Sequence, residues 1–338
     1  MIKKLMFSLF ISVFSFTLLL AETYHAAFYS DFKPISFSIS RNPDSPEFHL
    51  PQGYEADLLS AIELIPQANM HFTYTGIKKW DGIWTAPNTS SKIDFVFGGI
   101  TKEIERMENE KKEKVLSVTN KTVSFKQSLL ILAKHVNRIK SHKDLDCHDV
   151  VGAVIGTTGE YRFLAQAKYV NNLRDGFLAK QTKVETENGI VLSDGKLSIY
   201  DPSLKNRKRL LPPPECELPE VRYFVAEDTM IPALEKEEIV AIARGYIGNQ
   251  LVAEHSNGKF VVTALFSLKC ESEESQCKEE AVFYLKKDNQ ALKNKLNQFI
   301  DYLTDNGKID YDQWKANPKI FKERALVYPS QSYQYKRD

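Results

Sequence analysis

The sequence predicts an α/β fold, and three observations carry that prediction. Apolar runs that do not alternate, Ile93 to Ile100 and Val150 to Ile155, have the pattern of strands buried on both faces of a parallel sheet. Tyr54, Leu58, Ile62 and Ile65 fall at helical spacing and stop at Pro66. The chain closes on the same alternation. Val282 to Leu285 reads as a strand, and Leu292, Leu296, Phe299 and Leu303 then share one helix face, with Gly307 as its C-cap. Strands alternating with helices build βαβ units.

The remaining elements follow in order. Tyr24 to Phe37 is an apolar, aromatic-rich strand region that runs into a turn at residues 41–46. His71 to Thr75 and Ser128 to Ala133 read as further strands. Gly156-Thr157-Thr158-Gly159 ends a strand and opens a helix near Glu160. The alternation fails at about 165–219, which reads as an insertion. It carries a hairpin around Asp194-Gly195, a basic run (Lys205, Arg207, Lys208, Arg209) expected as a solvated loop, and three prolines at 212–214.

Length and composition exclude several classes. The 338 residues suffice for two ordinary domains, and 43% hydrophobic with 26% charged residues is globular composition. Lysine and arginine number 45 against 44 acidic residues, so no field steers a polyanion here and nucleic acid is not an expected partner. Lys3 and Lys4 precede an apolar run from Leu5 to Leu20, followed by Ala21-Glu22; residues 1–21 therefore read as a signal peptide. Leu19 suits the position three before cleavage poorly, which leaves an uncleaved anchor as the alternative. No cysteine near that site supports a lipid anchor, and no later stretch approaches the roughly 20 apolar residues a membrane span needs. A soluble periplasmic or secreted monomer is the expectation.

Export puts four cysteines in an oxidising compartment. Cys270 and Cys277 flank a short polar stretch and read as a loop staple; Cys147 and Cys216 are then left to pair. His142, Asp144, Asp146, Cys147 and His148 cluster without metal-ligand spacing and read as a solvated loop, so no metal is expected. The chain has neither a Gly-x-Ser-x-Gly elbow nor a His-Glu-x-x-His helix. Neither an enzyme nor a cofactor is expected. What remains is binding chemistry. The segment from Gly152 to Gly159 offers free N–H groups and two hydroxyls at a helix start, a place for a carboxylate, unless Thr157 serves only as a cap. Trp80-Asp-Gly-Ile supplies a large ring beside a glycine, in the core or against a ligand.

Taken in order, these segments resemble the family 3 extracellular solute-binding proteins, the amino-acid receptors of bacterial ABC importers. Residues 32–37 (Phe-Lys-Pro-Ile-Ser-Phe) look like the family's early Tyr-x-Pro-Phe strand end, and Gly53-Tyr-Glu-Ala-Asp57-Leu resembles Gly-Phe-Asp-x-Asp-Leu. Trp80-Asp-Gly-Ile and Lys92-Ile-Asp-Phe-Val-Phe-Gly-Gly-Ile-Thr101 are similar to its aromatic-Asp-Gly-Leu and Lys-Ile-Asp-x-Ile segments. Lys143-Asp-Leu with residues 150–159 resembles its second-lobe opening, residues 234–241 its Leu-x-x-Gly-x-x-Asp-Ala segment, and residues 306–314 its ending. The likeness covers most of residues 24–315 apart from the insertion. It implies two doubly wound α/β lobes, residues 22–130 plus 281–338 and residues 135–265, joined by hinges near 128–135 and 265–281.

The resemblance also implies a site. Phe32 and Trp80 match the rings that sandwich a ligand side chain, and Gly98, Gly99 and Thr101 the segment that presents backbone and hydroxyl groups to its head. Thr157, Thr158 and Gly159 match the second-lobe groups on the carboxylate. Arg106, five residues past Thr101, matches the arginine that grips that carboxylate in a bidentate pair; counting back from Val115 gives Lys111 or Glu110 instead. Where the family has an acid for the ligand's amine, this sequence has Arg244-Gly245-Tyr246, so Asp228 or another acid substitutes or the ligand lacks the amine. The implied function is delivery of a small carboxylate-bearing solute, an amino acid or relative, to an inner-membrane ABC permease. The alternative is a diverged interaction or sensor protein that keeps the fold and has lost the pocket.

Overall fold

The computed structural model describes residues 21–109, 111–171, 175–215, 217–266 and 279–329. The signal-peptide reading therefore lies, apart from Ala21, outside the described residues. The first of its two large sheets runs in the order Met70–Ile77, Glu22–Tyr29, Phe95–Phe97, Tyr284–Lys286, Leu116–Val118. Glu22–Tyr29 pairs in parallel with both neighbours, and Ala26 to Tyr29 is buried throughout. Burial on both faces removes the need for polar residues at alternate positions. Phe28 stacks on Phe97 at 5.7 Å and Phe95 on Phe283 at 5.6 Å, which ties the early strands to the returning end of the chain. Helix Tyr54–Glu63 packs its buried Tyr54, Leu58, Leu59 and Ile62 against this core. The Trp314 indole donates to Asp57 at 2.9 Å and fastens the C-terminal helices to it.

The second sheet has the order Gly189–Leu192, Lys183–Thr186, Arg207–Leu211, Glu220–Phe224, Val150–Val154, Ala241–Gly245, Gln127–Leu132, Phe260–Phe266. Val150–Val154 is parallel to both its neighbours; the remaining pairs are antiparallel. The chain leaves the first sheet through Val123–Phe125 and returns through Glu279–Ala281, and these two passages pair with each other. The outward crossing thus lies ahead of the expected 128–135, because Gln127–Leu132 is already held between two strands of the second sheet. Most of the other expected hinge, 267–278, lies outside the described residues.

The insertion extends the edge of the second sheet, with two corrections to the sequence reading. Its hairpin turns at Glu187-Asn188, where Thr186 pairs with Gly189, and not at Asp194-Gly195. Leu197 and Ile199, expected in the second arm, pack instead on or in the second core. Of the basic run, Lys205 is in an exposed turn, but Arg207, Lys208 and Arg209 lie in strand Arg207–Leu211, where alternation turns Lys208 outward and Arg207 inward, 5% exposed and paired with Glu160.

The 142–148 cluster is engaged locally. Asp144 closes a capping box with Ser141, and nearby Asp149 takes Arg138 in a two-pronged pair at 2.9 and 2.8 Å. Among the described residues no group of histidine, cysteine or acidic side chains could hold a metal, and no helix is long and apolar enough to cross a membrane. Cys147 is disulfide-bonded; Cys216, Cys270 and Cys277 lie outside the described residues.

Candidate ligand-binding cleft

The ends of both sheets converge on a small cavity. From the first lobe it is lined by Phe32, Trp80, Gly99 and Thr101; from the second by Thr157, Thr158, Gly159, Glu227, Arg244 and Gly245; and beside the crossing by Gln127. Seven of the nine residues singled out in the sequence thus share one hollow. Its volume is about 20 Å³, room for a single water-sized molecule.

Local chemistry explains how each side is built. Strand Phe95–Phe97 ends at Gly98 and Gly99, both at positive φ. A Cβ on Gly99 would sit 2.6 Å from the Phe32 ring, so only glycine lets that ring lie over the chain. The N–H groups of Gly98 and Gly99 donate to Glu55 at 2.9 and 2.8 Å, and the Thr122 hydroxyl adds a third bond at 2.7 Å. Burial raises the Glu55 carboxyl to about 7 against the lowering pull of those donors. The two amides are therefore engaged inside the first lobe, and Gly98 is not among the lining residues.

On the other side Thr157 caps helix Thr158–Gln166, its hydroxyl oxygen accepting from the Glu160 N–H at 3.2 Å. Gly159 lets that helix approach strand Ala241–Gly245, since a Cβ there would lie 2.9 Å from the Ala243 carbonyl oxygen.

Arg106 stands at the junction. It is 3% exposed, donating to the Thr101 carbonyl and, across the cleft, to the Gly156 carbonyl, both at 2.9 Å. A longer contact reaches the Thr158 hydroxyl at 3.4 Å, and the guanidinium lies over the Trp84 ring at 4.8 Å. Among the described residues its hydrogen bonds go to carbonyl and hydroxyl oxygens, and its Nε has no partner. Trp80 donates to the same Gly156 carbonyl at 2.9 Å, and Thr158 donates to the Thr101 hydroxyl at 2.8 Å. Counted forward from Thr101, the arginine stands at the junction of the lobes, where it bonds the Gly156 carbonyl. Lys111 is exposed, Glu110 lies outside the described residues, and the Asn109 N–H donates to the Glu113 carbonyl at 2.9 Å. Arg106 is not among the residues that line the hollow; it borders a second cavity of about 260 Å³, with Trp84, Tyr161 and Tyr200 among its walls.

Sequence reasoning missed Gln127 and Glu227, and it met Arg244-Gly245 only as a departure from pattern. Arg244, 8% exposed, bonds Asn249 at 3.1 Å and Glu227 at 3.3 Å, while its Nη2 has no partner among the described residues. Burial raises the Glu227 carboxyl to about 7, opposed by Arg244. Asp228, weighed as a substitute acid, instead pairs with Arg41 of the first lobe at 2.8 Å. Arg162 adds a second bridge to the first lobe, meeting Glu103 and, beside the return crossing, Glu279, each at 2.6 Å.

Two α/β lobes, a paired double crossing and a hollow where rings and a guanidinium meet a threonine-rich helix start place the chain among the bilobed, cleft-bearing α/β proteins. It belongs to the bacterial extracellular solute-binding proteins, family 3, whose model matches residues 25–317. By sequence no curated protein matches it. Solved structures share the fold at low identity. The substrate binding protein of an amino acid ABC transporter is 14% identical with a TM-score of 0.55, over 88% of this chain and 100% of that one. A Streptococcus pneumoniae substrate binding protein of an ABC uptake transporter, solved with bound histidine, is 15% identical with a TM-score of 0.55, over 88% and 92%. An ancestral amino acid-binding protein, a precursor of cyclohexadienyl dehydratase, is 18% identical with a TM-score of 0.53, over 87% and 94%.

Proposed function

We propose that this protein is an exported receptor that closes its lobes around a small carboxylate-bearing solute, an amino acid or a relative of one, and delivers it to the permease of an ABC importer. The observation that carries the reading is Arg106: a buried guanidinium at the meeting of the lobes, bonded to carbonyl and hydroxyl oxygens and so open to a carboxylate. Phe32 and Trp80 supply faces for an apolar side chain. Thr157, Thr158 and Gly159 supply hydroxyl and N–H groups at a helix start. A ligand touching both lobes at once favours the closed arrangement over the open one by its differential contacts. With a hollow of about 20 Å³, an amino acid enters only when the lobes part.

In this proposal residues 1–21 direct export to the periplasm, the lobes are residues 22–126 with 281–338 and residues 127–266, and Cys147 pairs with Cys216. The receptor binds without catalysis, as a monomer. A thermal-shift panel of amino acids and carboxylates tests it. A ligand at a hundred times its dissociation constant adds about 2.7 kcal/mol of stability, and Trp80→Ala or Arg106→Ala should abolish the shift.

A second reading, a diverged docking or sensor protein on the same fold, is favoured by the smallness of the hollow and by the ion pairs Arg41–Asp228 and Arg162–Glu103 that tie the lobes together. Unchanged melting across the whole panel would support it.

A further inference from the structure

Two arginines, not one, reach the place where the lobes meet, and their unmet bonds describe the molecule that would fit. Arg244 lines the hollow from strand Ala241–Gly245 opposite Phe32 and Thr101, buried, with Nη2 lacking a partner among the described residues. Arg106 adds a second buried guanidinium, its Nε without a partner among the described residues. Among the residues that line the hollow the one carboxylate is Glu227, already bonded to Arg244, and Arg106 stands just outside that lining with Glu103 beside it.

We propose that the ligand is a small carboxylate that carries an oxygen acceptor, such as a 2-oxo group, a hydroxyl or a second carboxylate, where an amino acid carries its ammonium, and that Arg244 selects for it. This rests on the receptor reading given above and narrows it. An α-amino acid is a zwitterion. It would bring an ammonium toward a guanidinium, a like-charge approach that works against binding. An ammonium has donors alone, so it cannot meet the free Nη2 donor, and a buried donor without a partner costs about 1–3 kcal/mol. An acceptor oxygen meets it. Glu227 is a poor substitute as an ammonium site, because Arg244 already occupies it at 3.3 Å and burial weakens its acidity. Gln127 discriminates only among the acceptor-bearing acids. Its Oε1, on the wall of the hollow and without a partner among the described residues, takes the O–H of a hydroxy acid, which a 2-oxo group or ionised carboxylate cannot offer. It would take an N–H equally well.

Calorimetry on the full exported chain with matched pairs tests this: pyruvate and L-lactate against L-alanine, 2-oxoglutarate against L-glutamate, and succinate against L-aspartate. At least one acid without an ammonium should bind ten-fold or more tightly than its amino-acid counterpart. Which of the oxo, hydroxy and dicarboxylate arms wins identifies the acceptor. Arg244→Gln should shrink the ratio to near unity, and Arg244→Lys, which keeps the charge and loses the fork, should fall between. Tighter binding of the amino acid in every pair leaves the receptor reading standing and overturns the role of Arg244. So does a ratio that Arg244→Gln leaves unchanged in a variant with native circular dichroism. Silence from every compound overturns both.

Discussion

The two flanks of helix Thr158–Gln166 treat a buried arginine in opposite ways. Behind the helix, Arg207 from the insertion pairs with Glu160 and lies over the Tyr223 ring at 4.7 Å. In front of it, Arg106 from the first lobe is buried as deeply but bonds to carbonyl and hydroxyl oxygens. A charge neutralised by an adjacent carboxylate has nothing further to attract. A charge held by neutral dipoles keeps most of its field, which is what a site for an anion requires. The difference teaches that depth of burial does not separate framework from function; the partner's charge does.

Breaking the rear pair should have the largest effect. Glu160→Gln leaves Arg207 buried without a counter-charge and should lower unfolding stability by about 3–5 kcal/mol in urea titrations. Glu160→Gln with Arg207→Leu should recover part of that loss, since the uncompensated charge is then gone. A double variant as unstable as Glu160→Gln would show that packing and not charge holds the insertion to the helix.

The next effect concerns pH. The Glu227 carboxyl is raised from 4.5 to about 7 by burial, so the folded protein holds this proton more tightly than the unfolded chain. Its contribution to stability is complete below pH 4.5 and is lost as pH rises through about 7. That contribution is worth about 3 kcal/mol at 1.36 kcal/mol per unit. Glu227→Gln should flatten the decline between pH 5 and pH 8 by that order, read from denaturation midpoints. Glu55 and Asp31 are raised in the same sense and would keep the remainder of the slope.

The front arginine should matter less for folding. Arg106→Met should cost at most about 2 kcal/mol, because lost hydrogen bonds are offset by removal of a buried charge. A loss as large as that of Glu160→Gln would erase the contrast between the flanks. The smallest effect belongs to Arg41→Ala. It removes a cross-lobe ion pair whose arginine side chain is 81% exposed, and it should change stability by less than about 1 kcal/mol. X-ray scattering would read its influence on lobe separation.

Much of the frame was legible from the sequence because it depends on local pattern. Runs without alternation marked the doubly buried strands at 95–97 and 150–154, and Gly156 to Gly159 marked a strand turning into a helix. Counting forward from Thr101 led to Arg106, which bonds across the lobes to the Gly156 carbonyl. Other features were not legible. Arg207 and Glu160 meet across 47 residues of chain, and nothing local in a basic run says which member strand alternation will bury. The hairpin moved because the sequence Asp-Gly suits a tight turn without requiring a hairpin there, while Leu197 and Ile199 had a core to fill. Glu227 announced itself only in three dimensions, through its contact with Arg244 on a strand that begins 14 positions later at Ala241.

The Gly156 carbonyl accepts from the Trp80 indole and from Arg106 together. One oxygen has two lone pairs, and both are engaged by the opposite lobe. The halves therefore cannot slide past one another by trading one contact for the next at this point: the indole and the guanidinium lose their common acceptor in the same displacement. Such a joint acts as a snap fastener and not as a zip, so intermediate gapes should be sparsely occupied, with passage between shut and open governed by a single concerted rupture.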